Sequence, residues 1–144
     1  MAIYSKPEDR VMSLLQRMRA LQVMSPPKES PLSMPQAMLV NWVGQTPGCG
    51  VLDIAKGLNL TPPTVSVGIR KLIKGGWVEQ REDPNDRRSR PIYLTEKGET
   101  FAANMGAHRT QMLKQFLSGL TVDEQEHLIC LLDRAVTALE TAQD

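Results

Sequence analysis

Two adjacent glycines, Gly75 and Gly76, separate a helical pattern from a strand pattern, and this switch constrains the fold more than any other feature. Before them, Thr61 is a good N-cap and Pro62 occupies the first helical position, where its missing N–H costs nothing. Val65, Ile69, Leu72 and Ile73 then share one side of a helix that the glycine pair stops. Behind the glycines the period shortens. Trp77-Val78-Glu79-Gln80-Arg81 and Pro91-Ile92-Tyr93-Leu94 read as two short strands. The polar stretch Glu82 to Arg90 between them makes a β-hairpin with a long charged tip. Ahead of the Thr61 helix, Ser33-Met34-Pro35-Gln36 opens a helix by a capping box, and Val51 to Leu58 reads as another. The loop Gln45 to Gly50 divides them, and its Cys49 is flanked by glycines and open to exposure. Three short helices followed by a charged hairpin outline a winged helix-turn-helix.

The flanks are helical. A first helix is expected from Ser5, which has capping-box spacing to Glu8, with Val11, Leu14, Leu15, Met18 and Leu21 on one stripe. Ser25-Pro26-Pro27-Lys28-Glu29-Ser30-Pro31 ends it as a linker. Thr95 caps a long helix from about Glu96 to about Leu117. After Ser118-Gly119, Thr121 and Glu124 form another capping box, and Leu128, Leu131, Leu132, Ala135, Val136 and Leu139 line the last helix. The fold class is therefore mainly α (α+β). An N-terminal helix and linker span 1–31, a winged helix-turn-helix lobe 32–95, and C-terminal helices 96–144. The flanking apolar stripes exceed what a lobe of this size can cover. A second copy, packed across a two-fold axis, is the economical partner.

The net charge of +1 conceals an asymmetry. Residues 61–97 carry eight Lys and Arg against five Asp and Glu, whereas residues 98–144 carry three against seven. A basic middle segment suits a polyanion. On the Thr61 helix the outer face presents Pro63, Val67, Arg70, Lys71 and Lys74, with Thr64 and Ser66 on its flanks. Cations and a methyl-bearing side chain fit guanine edges, phosphates and a thymine methyl in a major groove. The hairpin tip holds Arg87, Arg88 and Arg90, a set that suits a narrow, negative minor groove. Asp86 stands two residues before Arg88, where a bidentate pair would orient that guanidinium.

The stretch from Leu32 to Gly98 resembles the MarR family of bacterial transcriptional regulators. The resemblance rests on Leu52-Asp53-Ile54-Ala55, Leu60-Thr61-Pro62-Pro63-Thr64-Val65-Ser66 and Leu72-Ile73-Lys74-Gly75-Gly76-Trp77-Val78. It continues in Asp83-Pro84-Asn85-Asp86-Arg87-Arg88-Ser89-Arg90 and Leu94-Thr95-Glu96-Lys97-Gly98. It implies a homodimer on a pseudopalindromic operator in double-stranded DNA, usually repressing. It implies Arg88, oriented by Asp86, in the minor groove, and Thr64, Ser66 and the outer face of that helix in the major groove. It also implies a small-molecule effector, whose identity the residues do not give. This chain departs from the family pattern at Val67, Gly68 and Arg70. Arg70 is expected to supply the cationic contact that Val67 cannot.

Other classes fit less well. There is no P-loop, Gly-x-Ser-x-Gly, Rossmann fingerprint or histidine pair at ligand spacing, so neither an enzyme nor a cofactor is expected. His108, His127, Cys49 and Cys130 are too few and too scattered for a metal site or disulfide framework. A winged-helix protein-interaction module is the alternative, but it has no use for three arginines on the wing. No apolar run approaches the roughly 18 residues of a membrane span. The first ten residues carry charges where a signal peptide would be apolar, so no membrane partner and a cytoplasmic location are expected.

Overall fold

The computed structural model describes residues 6–143. Its elements are α1 (Pro7–Ala20), α2 (Met34–Gln45), α3 (Val51–Leu58), α4 (Pro62–Lys74), β1 (Val78–Gln80), β2 (Ile92–Leu94), α5 (Glu96–Leu117) and α6 (Val122–Gln143). Two compact units meet in the chain between Arg109 and Thr110.

The first unit holds the winged helix-turn-helix. The Ser33 hydroxyl accepts the Gln36 N–H while the Gln36 side chain accepts the Ser33 N–H, closing the expected capping box of α2. Thr61 caps α4 through its hydroxyl, which accepts the Thr64 N–H. Ser5, the expected cap of α1, lies outside the described residues, and Lys6 stands at the N-cap position. The core gathers Leu39, Val40 and Val43 of α2, Ile54 and Ala55 of α3, Val65, Ile69 and Leu72 of α4, Val78 of β1 and Ile92 of β2. Ile73, expected on the inner side of α4, is 36% exposed. It follows Leu72 by about 100° around the helix, which carries it out of the buried arc.

Two glycines set how closely these helices approach. A Cβ on Gly68 would lie 2.5 Å from Leu39 Cδ1, and one on Gly57 would lie 2.0 Å from the Trp42 ring. The glycine inside α4 thus lets the helix sit close against α2, at a propensity cost of about 1 kcal/mol relative to alanine.

The strands are antiparallel, with Val78 opposite Leu94, Glu79 opposite Tyr93 and Gln80 opposite Ile92. They are shorter than the sequence pattern suggested, because Arg81 continues the pairing only through its N–H to Pro91 O. Cys49 adds a third edge. Its carbonyl accepts the Ile92 N–H at 2.9 Å, and Ile92 O accepts the Gly48 N–H at 2.9 Å. That pairing buries Cys49, against the expectation of an exposed loop cysteine. Burial pushes its thiol up from the ordinary value, with the nearby Asp53 carboxylate acting in the same direction.

The start of α5 completes this unit. Thr95 Oγ1 accepts the Gly98 N–H, donates to Gly76 O, and so ties the helix start to the turn behind α4. Lys97 Nζ donates to Gly75 O and stands 4.1 Å over the Trp77 ring. Trp77 and Phe101 pack edge to face with centroids 5.4 Å apart. The turn joining α4 to the wing is thus held by the first turn of α5.

In the second unit α6 opens with the expected box: Thr121 N–H donates to Glu124 Oε2, and Glu124 N–H donates to Thr121 Oγ1. Ile129, Leu131, Leu132, Val136 and Leu139 remain about half exposed or more. Val11, Leu14 and Leu15 of α1 in the first unit are equally open.

Candidate nucleic-acid interface

Helix α4 presents its outer face to solvent. Pro63, Thr64, Val67, Arg70, Lys71 and Lys74 are exposed and Ser66 is half-buried. The same helix buries Val65, Ile69 and Leu72 almost completely, so its orientation about its own axis is fixed by the core. Val67 is an apolar side chain left 45% exposed in the middle of that polar face. The Thr64 hydroxyl lies 2.8 Å from the Thr61 hydroxyl, which holds it at the helix start. Arg70 folds back along the helix, its Nε donating to Ser66 O at 3.5 Å. It lines a shallow groove of about 300 Å³ with Val51, Ser66, Ile69, Ile73 and Gln80, between α4 and β1.

The wing tip is ordered by its own carboxylates. Asp83 Oδ1 accepts the Asn85 N–H at 2.9 Å and Asp86 Oδ1 accepts the Arg88 N–H at 2.9 Å, two successive Asx turns. Backbone bonds from Asp86 N–H to Asp83 O and from Ser89 N–H to Asp86 O close the loop. Arg87, Arg88 and Arg90 are exposed around it. The sequence pattern pointed to Asp86 on the Arg88 guanidinium. Among the described residues the one ion pair is Arg81–Glu79, and Asp86 engages the Arg88 backbone instead. The reason is local: an aspartate two residues before an N–H reaches it with its short side chain, at less entropic cost than pinning a long arginine. The Arg88 side chain is thereby left without a carboxylate partner among the described residues.

Arg81, at the root of the wing, is occupied otherwise. Both its Nε and its Nη2 donate to Glu79 Oε1, and its guanidinium lies 4.0 Å from the Tyr93 ring centroid. The cations offered outward are therefore those of α4 and the tip. Two residues here were not singled out from the sequence. Asp83 shapes the first Asx turn, for which Asp-Pro-Asn was an available signal. Gln80 faces the groove beside α4, a position only the tertiary packing reveals. Cys130 is exposed on α6. No cluster of three or more metal-ligating side chains occurs among the described residues, and no helix of theirs is long and apolar enough to cross a membrane.

Comparison with known proteins gives a consistent picture. The model of the MarR family matches residues 32–89. The uncharacterized HTH-type transcriptional regulator YkoM of Bacillus subtilis is 34% identical over 83 residues, covering 58% of this chain and 54% of that protein. The chain spans between about half and three-fifths of the length of such curated relatives. Among solved structures, Streptococcus pneumoniae FabT in complex with DNA superposes with a TM-score of 0.79 at 18% identity, covering 93% of this chain and 95% of that one. The PcaV transcriptional regulator of Streptomyces coelicolor with its natural ligand gives a TM-score of 0.65 at 23% identity, over 96% of this chain and 97% of that one. These two likenesses establish the shared fold.

Proposed function

We propose that the chain is a member of the MarR family and a sequence-specific, DNA-binding transcriptional regulator. One observation carries the reading. A core-oriented helix with a cationic outer face, α4, and a hairpin tip with three exposed arginines lie in one unit, tied together through Thr95 and Lys97. Helix α4 enters a major groove, with Pro63, Thr64, Ser66, Val67, Lys71 and Lys74 on the DNA side. The wing enters the neighbouring minor groove with Arg87, Arg88 and Arg90, its shape set by Asp86. FabT in complex with DNA is the solved neighbour that lends this docking its support.

The protein acts as a homodimer on a pseudopalindromic operator. The exposed stripes of α1 and α6 supply the apolar area that a second copy would cover, and two copies would place two α4 helices on half-sites about one helical turn apart. The flanking segments 1–31 and 96–144 are the dimerising parts of the chain. It works as a repressor in the cytoplasm and responds to a small molecule, as the PcaV structure with its natural ligand suggests by analogy of fold.

Selection of random duplex DNA by the purified protein tests this reading. We expect an inverted repeat, bound with steep salt dependence because each neutralised phosphate releases counterions. Arg88→Ala should weaken the enrichment. Recovery of no preferred sequence, with weak binding insensitive to Arg88, would turn the reading toward a protein-interaction module.

A further inference from the structure

A helix in a major groove and a hairpin tip in the adjoining minor groove must straddle the sugar-phosphate strand that divides the two grooves. In this chain the wing-root side of that helix bears a groove between α3, α4 and the end of β1, lined by Val51, Ser66, Ile69, Arg70, Ile73 and Gln80. Its chemistry is divided. The floor is apolar, from Val51, Ile69 and an Ile73 that the core leaves 36% exposed. The rim carries a guanidinium, a carboxamide and a hydroxyl, each a donor to phosphate oxygen. Deoxyribose presents carbon and phosphate presents anionic oxygen, so the two parts of the groove match the two parts of the strand.

Resting on the DNA-binding reading above, we propose that this groove seats the DNA strand between the two grooves, with Arg70 and Gln80 as phosphate-gripping residues. Arg70 is then a positioning residue and not a reader of bases. Its side chain is drawn back along α4 by the bond from Nε to Ser66 O, toward the groove that Gln80 enters from the end of β1. Gln80 stands at the base of the wing tip, where the strand would have to pass. The exposure of Ile73 acquires a role as the surface against which a sugar packs. This assignment gives the cationic contact expected of Arg70 a phosphate as its partner.

The test measures affinity by fluorescence anisotropy on the selected operator and on a panel of its single-base variants, at several salt concentrations. The proteins are full-length wild type, Arg70→Ala, Arg70→Lys, Gln80→Ala and Val67→Ala. Arg70→Ala should weaken binding about fivefold to tenfold on every duplex alike and reduce the salt slope by about one. Arg70→Lys should keep the slope. Gln80→Ala should weaken binding about threefold on every duplex without moving the slope, because a carboxamide displaces no counterion. Val67→Ala should instead alter the ranking of the base variants. A changed base ranking in Arg70→Ala, or an unmoved slope, would overturn the assignment while the DNA-binding reading stands. A wild-type protein that binds no duplex in a salt-dependent way would overturn that reading, and this inference with it. All three side chains lie on the open surface of the fold, so circular dichroism melts of the variants should match wild type.

Discussion

Replacing Gly98 with alanine should loosen the wing from the body of the protein. Gly98 is buried at the third position of α5. A Cβ there would lie 2.0 Å from Trp77 O, 3.1 Å from Trp77 C and 3.4 Å from Leu94 Cβ. The nearest atom is a backbone carbonyl, so no side-chain rotation relieves the clash. That carbonyl also accepts the Thr95 N–H at 3.2 Å. Separation by more than about 1 Å is needed to reach ordinary contact. Overpacking of this kind costs about 1–3 kcal/mol, and disturbing one hydrogen bond adds about 1 kcal/mol. The better helix propensity of alanine returns about 1 kcal/mol. The net loss is about 1–3 kcal/mol, or roughly 2–12 °C in Tm for a chain of this size. Gly106→Ala is the matched control, since nothing lies within 4 Å of a Cβ at that position in the same helix. It should raise Tm by about 2–4 °C. Both melts are followed by circular dichroism at one protein concentration. If Gly98→Ala melts with or above Gly106→Ala, the close approach of α5 to the wing root does not constrain the fold as described.

Asp86 allows a finer test, because its carboxylate holds the Arg88 N–H. Asparagine keeps the accepting oxygen, so Asp86→Asn should retain operator affinity within about twofold, whereas Asp86→Ala should lose about fivefold to tenfold. An equal loss in both variants would restore the guanidinium pairing that the sequence suggested. The two cysteines should differ in native alkylation followed by mass spectrometry. Exposed Cys130 should react about a hundredfold faster than Cys49, whose burial keeps it protonated and covered; equal rates would refute the β-bridge to Ile92. The double variant Leu132→Glu, Val136→Glu should convert a dimer to a monomer by light scattering and weaken operator binding at least about tenfold. A wild-type monomer at micromolar concentration would already defeat that proposal.

Local signals carried most of the fold. Thr61 with Pro62, the Gly75-Gly76 stop, Thr95 and the Thr121–Glu124 box depend only on neighbours within four residues, and each stands where the sequence placed it. What remained illegible depends on residues far apart in the chain. Cys49 is buried because Ile92, distant in sequence, pairs with its backbone. Gly68 looked like a weak helix residue until Leu39 was placed against it. The exposed face of α4 followed from periodicity alone. Which of its residues adjoins the wing did not, since Gln80 reaches that groove only through the β1 register. Arg88 marks a different limit: a charge pair in sequence does not say whether the carboxylate prefers side chain or backbone.

Hydroxyl-radical footprinting on the selected operator addresses the docking itself at single-nucleotide resolution. Two protected blocks should appear, centred about 10 base pairs apart or a multiple of that, each flanked by minor-groove protection that disappears in Arg88→Ala. A single undivided block, or flanks indifferent to Arg88, would contradict a dimer that reads two major grooves with α4 and two minor grooves with its wings.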